Sequence, residues 1–156
     1  MTMISDGQSR LLIRLEIEAL NAEFAYRVDH FEGNGVENLF TPDGSYGVTG
    51  GGRSVGQDAI RESYDARRSR GPRTARHIFT NLRLHHVSPT EATGTTILVL
   101  FAEDGMPPLP ANVLAVSDFE DNYRYSDGRW LYHSRTIHRQ FQAEASVPVL
   151  PLGQNR

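Results

Sequence analysis

Residues 76–86 read RHIFTNLRLHH, and the fold turns on how this stretch is placed. It sets a histidine, His77, at the mouth of a strand and follows it with an asparagine, an arginine and two more histidines. It also opens the first of four long segments, 75–87, 92–103, 112–125 and 129–141, all rich in Val, Ile, Leu, Thr, Phe and Tyr and separated by turn residues. The SDGR sequence at 126–129 is a compact hairpin turn with Asp-Gly at its centre. Strict alternation groups His77 with Phe79 and Asn81, opposite Ile78, Leu82 and Leu84. If the latter set faces the core, His77 points inward only through a bulge or an irregular strand start.

Upstream the character is helical. From Ser9 to Phe31 the apolar residues Ile13, Ile17, Leu20, Phe24 and Val28 recur at steps of three and four, which predicts an amphipathic helix. A thinner stripe of Leu11, Leu15, Ala22 and Tyr26 lies on another face. At about 100° per residue Asp29 falls on that stripe, so the acid should end the helix facing protein. Gly33 and Gly35 stop it. Leu39 to Val48 holds a turn at Pro42-Asp43-Gly44 and a short strand around Tyr46, and the glycine run 50–52 turns the chain back through Arg53. TGGGRS is not read as a phosphate loop, because no Gly-Lys-Ser/Thr follows. A second helix is predicted over Gln57 to Arg70, ending at Gly71-Pro72. Helices followed by an antiparallel meander make an α+β domain whose sheet buries one face against the helices. One domain is expected over 1–156, with its core at about 9–141 and a surface arm at 142–156.

Composition narrows the chemistry. The 156 residues are 38% hydrophobic and 22% charged, with a net charge of −3, which offers no footprint for a phosphate backbone. Nucleic acid is therefore not an expected partner, and Trp130 with Tyr132 is disfavoured as a base-stacking platform. The only basic run, Arg67, Arg68, Arg70, Arg73 and Arg76, reads as a solvated helix end. The absence of lysine removes Schiff-base chemistry, and the absence of cysteine removes thiol nucleophiles, thiolate metal sites and disulfides. MTMISDGQSR has no signal-peptide pattern, and no apolar run approaches the roughly 18 residues that span a bilayer. No membrane association and a cytoplasmic location are the expectation.

The groups left to work near neutral pH are carboxylates and six histidines: His30, His77, His85, His86, His133 and His138. No grouping has metal-ligand spacing, since the rings of His85 and His86 should point to opposite faces of a strand, so no metal site is expected. An Asp–His pair needs one carboxylate to orient an imidazole and leave its second nitrogen free to take a proton. Asp29, with Tyr26 on its own helix face, is the best such acid, and His77 the best imidazole. Spacing alone favours the plainer alternative, in which Asp29 is a helix-end residue and His77 a hydrogen-bonded strand residue.

The helix ending in FAYRVDHFEGNG, the GRSVGQDAIRESY helix start, RHIFTNLRLHHVS and the closing DFEDNYRYSDGRWLYHSRTIH together resemble the SnoaL-like branch of the nuclear transport factor 2-like superfamily, over residues 9 to 141. Within it the chain is most similar to the scytalone dehydratase and hexachlorocyclohexane dehydrochlorinase branch. That resemblance implies a cone-shaped, curved antiparallel sheet wrapped around N-terminal helices, a deep apolar cavity and a homo-dimer or homo-trimer. It also implies that Asp29 and His77 stand where that branch keeps a catalytic dyad needing no cofactor. Tyr46 matches a pocket tyrosine of the dehydratase, and Arg135 stands near a cation of the dehydrochlorinase. Two departures accompany this: Ala102 stands where the dehydratase has a second histidine, and Phe24 where the dehydrochlorinase has a lysine.

Two functions follow as expectations. The first is a lyase or isomerase acting on a small hydrophobic cyclic molecule, with His77 as base, Asp29 as its partner, Tyr46 and Arg135 as donors, and Tyr26, Phe40, Phe119 and Trp130 as pocket walls. The alternative is a non-catalytic ligand-binding or subunit-type protein of the same fold. A hydrogen-bonded dyad lining a cavity of roughly a few hundred Å³ would favour the enzyme, and a cavity filled by side chains the alternative.

Overall fold

The computed structural model describes residues 6–144, so nearly all of the expected arm at 142–156 lies outside the described residues. Helix α1 runs Asp6–Phe31, a 3-10 turn follows at Val36–Leu39, and strands β1 (Phe40–Val48) and β2 (Arg53–Val55) form the small hairpin. Helix α2 spans Gln57–Arg68, and four long strands complete the chain: β3 (Arg73–Val87), β4 (Glu91–Asp104), β5 (Ala115–Ser126) and β6 (Arg129–Gln142). The six strands form one curved, unclosed sheet in the order β2-β1-β6-β5-β4-β3, with the helices against its inner face. This is the expected α+β architecture with one difference. β1 pairs parallel to β6, with Tyr46 opposite Arg135, so the sheet is mixed and not wholly antiparallel. Local hairpins generate only antiparallel neighbours, whereas β1 and β6 meet across the whole domain.

The predicted stripe of α1 is its buried face: Ile17, Leu20 and Phe24 pack in the core, with Ile13 and Val28 against it. Leu11, Leu15 and Tyr26, on the second stripe, are exposed, while Asp29 at the end of that stripe is covered by β3. The helix closes with the Gly33 N–H on the Arg27 carbonyl at 2.9 Å and Glu32 in the left-handed region at φ 50°, a left-handed cap that turns the chain out of the helix. Gly33 is required there. A Cβ on it would sit 2.0 Å from the Tyr64 ring of α2.

Strand β3 resolves the alternation conflict. Ala75, His77 and Phe79 face inward, Ile78 is half-exposed on the outer side, and further along Leu82 and Leu84 face inward. The phase change is a bulge. The register slips between the Thr80–Ile97 and Arg83–Thr95 pairs, and Asn81 sits in the slip at φ 54°, a conformation that asparagine tolerates better than most side chains. A second slip lies between Leu84 and His86, and both His85 and His86 are exposed.

One end of the interior is solid. Phe24, Phe40, Phe79, Phe119, Tyr46 and Tyr132 pack edge-on or tilted at centroid separations of 5.1–6.5 Å. Arg135 lies at the centre of this cluster, its guanidinium 4.0–4.9 Å from the ring centroids of Tyr132, Phe24, Phe79 and Phe119.

Candidate functional site

The other end is hollow. Val28, Ala75, Leu98, Leu100, Leu114 and Ile137 supply much of its apolar wall, and His77, Tyr46, Tyr64, Arg67, Arg73 and Arg139 are among its polar lining. Its volume is about 90 Å³. That is below the few hundred Å³ set out as favouring an enzyme, and below the roughly 150 Å³ engineered cavity that admits benzene.

Asp29, in the last turn of α1, meets His77 at the start of β3. The His77 Nδ1 and the Asp29 Oδ1 are 2.7 Å apart, and the His77 backbone N–H donates to Oδ2 at 2.9 Å. Both side chains are largely buried, at 14% and 6% exposure. The carboxylate thus fixes the ring by one oxygen and the strand by the other, so Nδ1 carries the proton in the neutral tautomer. Nε2 makes no hydrogen bond to any described residue, and His77 lines both the hollow and the groove beside it. Asp29 itself lies behind His77. Together with His77, Tyr26, His30 and Asn81 it lines a second, more open groove of about 630 Å³.

Tyr46 and Tyr64 form the second polar feature. The Tyr46 and Tyr64 hydroxyls are hydrogen-bonded to each other, and burial pushes the Tyr46 phenol up to about 12. Tyr46 therefore keeps its own proton at physiological pH and can offer it to an oxygen in the hollow.

Of the six residues expected around the substrate, Tyr46 and Phe119 line the hollow. Four stand elsewhere. Arg135 is fully buried and committed: Nε and Nη2 reach Asp121 at 2.8 Å each, and Nη2 reaches the Asn21 amide oxygen at 2.5 Å. Burial alone would lower its pKa, but Asp121 outweighs burial and carries it well above the ordinary value. A guanidinium so engaged stays inside its ion pair, because separating it would strand two charges in the core. Phe40 packs in the aromatic cluster, and Trp130 lies against Tyr125 near the β5–β6 hairpin. Tyr26 is 53% exposed over His30, in the open groove between α1 and β3.

Sequence reasoning missed the arginines. Arg67, read as part of a solvated helix end, is 6% exposed, and the Arg73 side chain is 13% exposed. Arg67 follows Ile60 and Tyr64 at helical spacing, which places it on the buried face of α2. Arg73 shares an inward face with Ala75 and His77, and Arg139 continues the inward set of Arg135 and Ile137. Each signal was present in the periodicity. Ala102, where the branch has a second histidine, is a plain apolar part of the wall.

Among the described residues no helix is long and apolar enough to cross a membrane, and no three His, Cys, Asp or Glu side chains are grouped to hold a metal ion.

The chain has no match among curated proteins. Its fold is similar to several solved structures. A protein of unknown function from Mycobacterium tuberculosis superposes with a TM-score of 0.75 at 24% identity, covering 89% of this chain and 78% of that one. A protein assigned as a scytalone dehydratase from Novosphingobium aromaticivorans gives 0.79 at 18% identity, covering 96% and 99%. The beta subunit assigned to an aromatic-ring-hydroxylating dioxygenase of the same organism gives 0.77 at 16% identity, covering 92% and 99%. At these identities the structures speak for the fold alone, while the SnoaL-like domain pattern matches residues 9–136. The chain belongs to the SnoaL-like domain family, within the nuclear transport factor 2-like superfamily.

Proposed function

We propose that the protein is a lyase or isomerase that removes a proton from carbon with His77, on a small, largely apolar and cyclic molecule, using no cofactor. The observation that carries this is the 2.7 Å contact between the His77 Nδ1 and Asp29, which leaves Nε2 of a cavity-lining imidazole without a partner among the described residues. Nε2 takes the proton, the C–H electron pair forms a new double bond, and Asp29 stabilises the imidazolium that results. In an elimination, a hydroxyl or halide leaves from the neighbouring carbon. His77 then returns its proton to a departing hydroxide as water, or loses it to solvent when halide departs. In an isomerisation the same proton returns to a different carbon. Tyr46 serves as a hydrogen-bond donor to the oxygen that gains charge; with its pKa near 12 it holds the proton and does not transfer it. A positioned base of this kind supplies roughly 10²- to 10⁴-fold, and orientation within the hollow adds to it.

A second reading, a ligand-binding or subunit-type protein, is favoured by one observation, the modest hollow of about 90 Å³. Deuterium wash-in separates the two. Hydroxylated and halogenated rings incubated in D₂O should exchange or lose a specific C–H with the wild type, followed by NMR, and the rate should fall roughly 10²-fold or more in His77→Gln. Ligand binding with no exchange at any carbon supports the binding protein instead.

A further inference from the structure

Three arginines, Arg67, Arg73 and Arg139, converge on the apolar hollow that holds His77. Arg67 donates through Nη1 to the Gly71 carbonyl at 3.1 Å and through Nη2 to Asp104 at 3.0 Å, while its Nε is buried without a hydrogen-bond partner. Arg73 lies 3.8 Å from the same Asp104 carboxylate and lines the same wall. Arg139 reaches the rim from β6 and makes no hydrogen bond or ion pair with any described residue. Among the described residues the carboxylates beside them are Asp104, shared by Arg67 and Arg73, and Glu32, which leaves Arg139 without an acid of its own. Asp29 has both oxygens engaged by His77. The crowding shows in Arg73: burial first, then the charges of Arg67 and Arg70, hold its guanidinium below the ordinary value despite Asp104. Buried cations are retained where a counter-charge stabilises them.

We propose that the hollow takes a compact molecule with an apolar body and one carboxylate, the body against Leu98, Leu100 and Phe119 and the carboxylate on Arg67, Arg73 and Arg139. Arg73, Ala75 and His77 lie on one face of β3, so about 13 Å separates the Arg73 and His77 Cα atoms along the strand. Their side chains close much of that span from both ends, which leaves room for a small acid whose reacting carbon reaches Nε2. Guanidinium forks suit a planar carboxylate. Glu32, also in the lining, disfavours a second negative charge. This refines the proton-abstraction reading and takes from it the identity of the site.

The test measures binding of isobutyrate and crotonate against isobutyramide and crotonamide, neutral molecules of nearly the same shape, by calorimetry or ligand-observed NMR. The acids should bind the wild type at least about tenfold more tightly, the factor one charge-assisted hydrogen bond supplies. That preference should weaken with salt, shrink in Arg67→Gln and Arg139→Gln, and persist in His77→Gln. Because Arg139 is on the rim, its replacement does not threaten folding even if that of Arg67 does. Equal binding of acids and amides, no saturable acid binding, or an acid preference unchanged in Arg139→Gln and in folded Arg67→Gln each overturns the carboxylate site. Failure of the base is read separately: an intact acid preference with deuterium exchange undiminished in His77→Gln removes the base and leaves the anion site standing.

Discussion

Replacing Asp121 by Ala should be among the most damaging single changes in this protein. Asp121 and Arg135 are both wholly inaccessible, joined by two bonds of 2.8 Å, and Asp121 also accepts the Tyr123 hydroxyl at 2.9 Å. Removing the carboxylate leaves a guanidinium with no anion beside it. Asn21 and four aromatic faces remain, and none carries a negative charge. Breaking a buried pair from one side costs about 3–5 kcal/mol. For a chain of this size, each kcal/mol moves the midpoint by roughly 2–4 °C, so the fall should be about 6–20 °C. Urea unfolding followed by far-UV circular dichroism and by Trp130 fluorescence gives the free energy directly. The paired replacement Asp121→Leu with Arg135→Met removes both charges and should recover most of the loss. A single-variant loss under about 1 kcal/mol with an unchanged m-value would refute the claim that Arg135 depends on its partner.

Other perturbations test other parts of the fold. Asn81→Val should destabilise by about 1–2 kcal/mol, because a β-branched residue must take the left-handed φ of the bulge, whereas Asn81→Gly should be nearly neutral; chemical denaturation of the pair checks this. Gly33→Ala should cost at least about 1–3 kcal/mol by overpacking against Tyr64, and it should perturb the Tyr46–Tyr64 pair as seen by near-UV circular dichroism. Burial raises the phenol pKa values of Tyr46, Tyr64, Tyr123 and Tyr132 in the folded state. A raised folded value makes stability fully present below the unfolded tyrosine pKa and lost above it. Unfolding free energy should therefore decline as pH rises from about 10, and absorbance near 295 nm should show these phenols ionising together with unfolding. Tyr46→Phe, with the ring kept, should leave stability within about 1 kcal/mol and slow proton exchange from substrate carbon.

How much of this was readable in advance differs by element. The buried stripe of α1 and the four long strands come from periodicities that act within a few residues, and the sequence carries those openly. The parallel pairing of β1 with β6 joins segments about ninety residues apart, and no local pattern specifies it. His77 could be paired with Asp29 only through the family resemblance, because its inward direction depends on a bulge at Asn81 that simple alternation conceals. Arg135 was misplaced for a related reason: an arginine near a pocket reads as a donor until Asp121, fourteen positions earlier on the neighbouring strand, is found to claim it. Arg67 and Arg73 were dismissed as a charge run, although the spacing of each pointed inward.

The bond from the His77 amide to Asp29 has a bearing on assembly as well as on chemistry. β3 is the last strand of its sheet, and that amide points away from β4 toward the open margin, where a foreign chain would dock. One carboxylate therefore closes a rung of the exposed ladder while it steers the imidazole. Asp29→Asn keeps an oxygen for the rung, but Asp29→Ala frees it, so the alanine variant should self-associate where the asparagine variant stays dispersed.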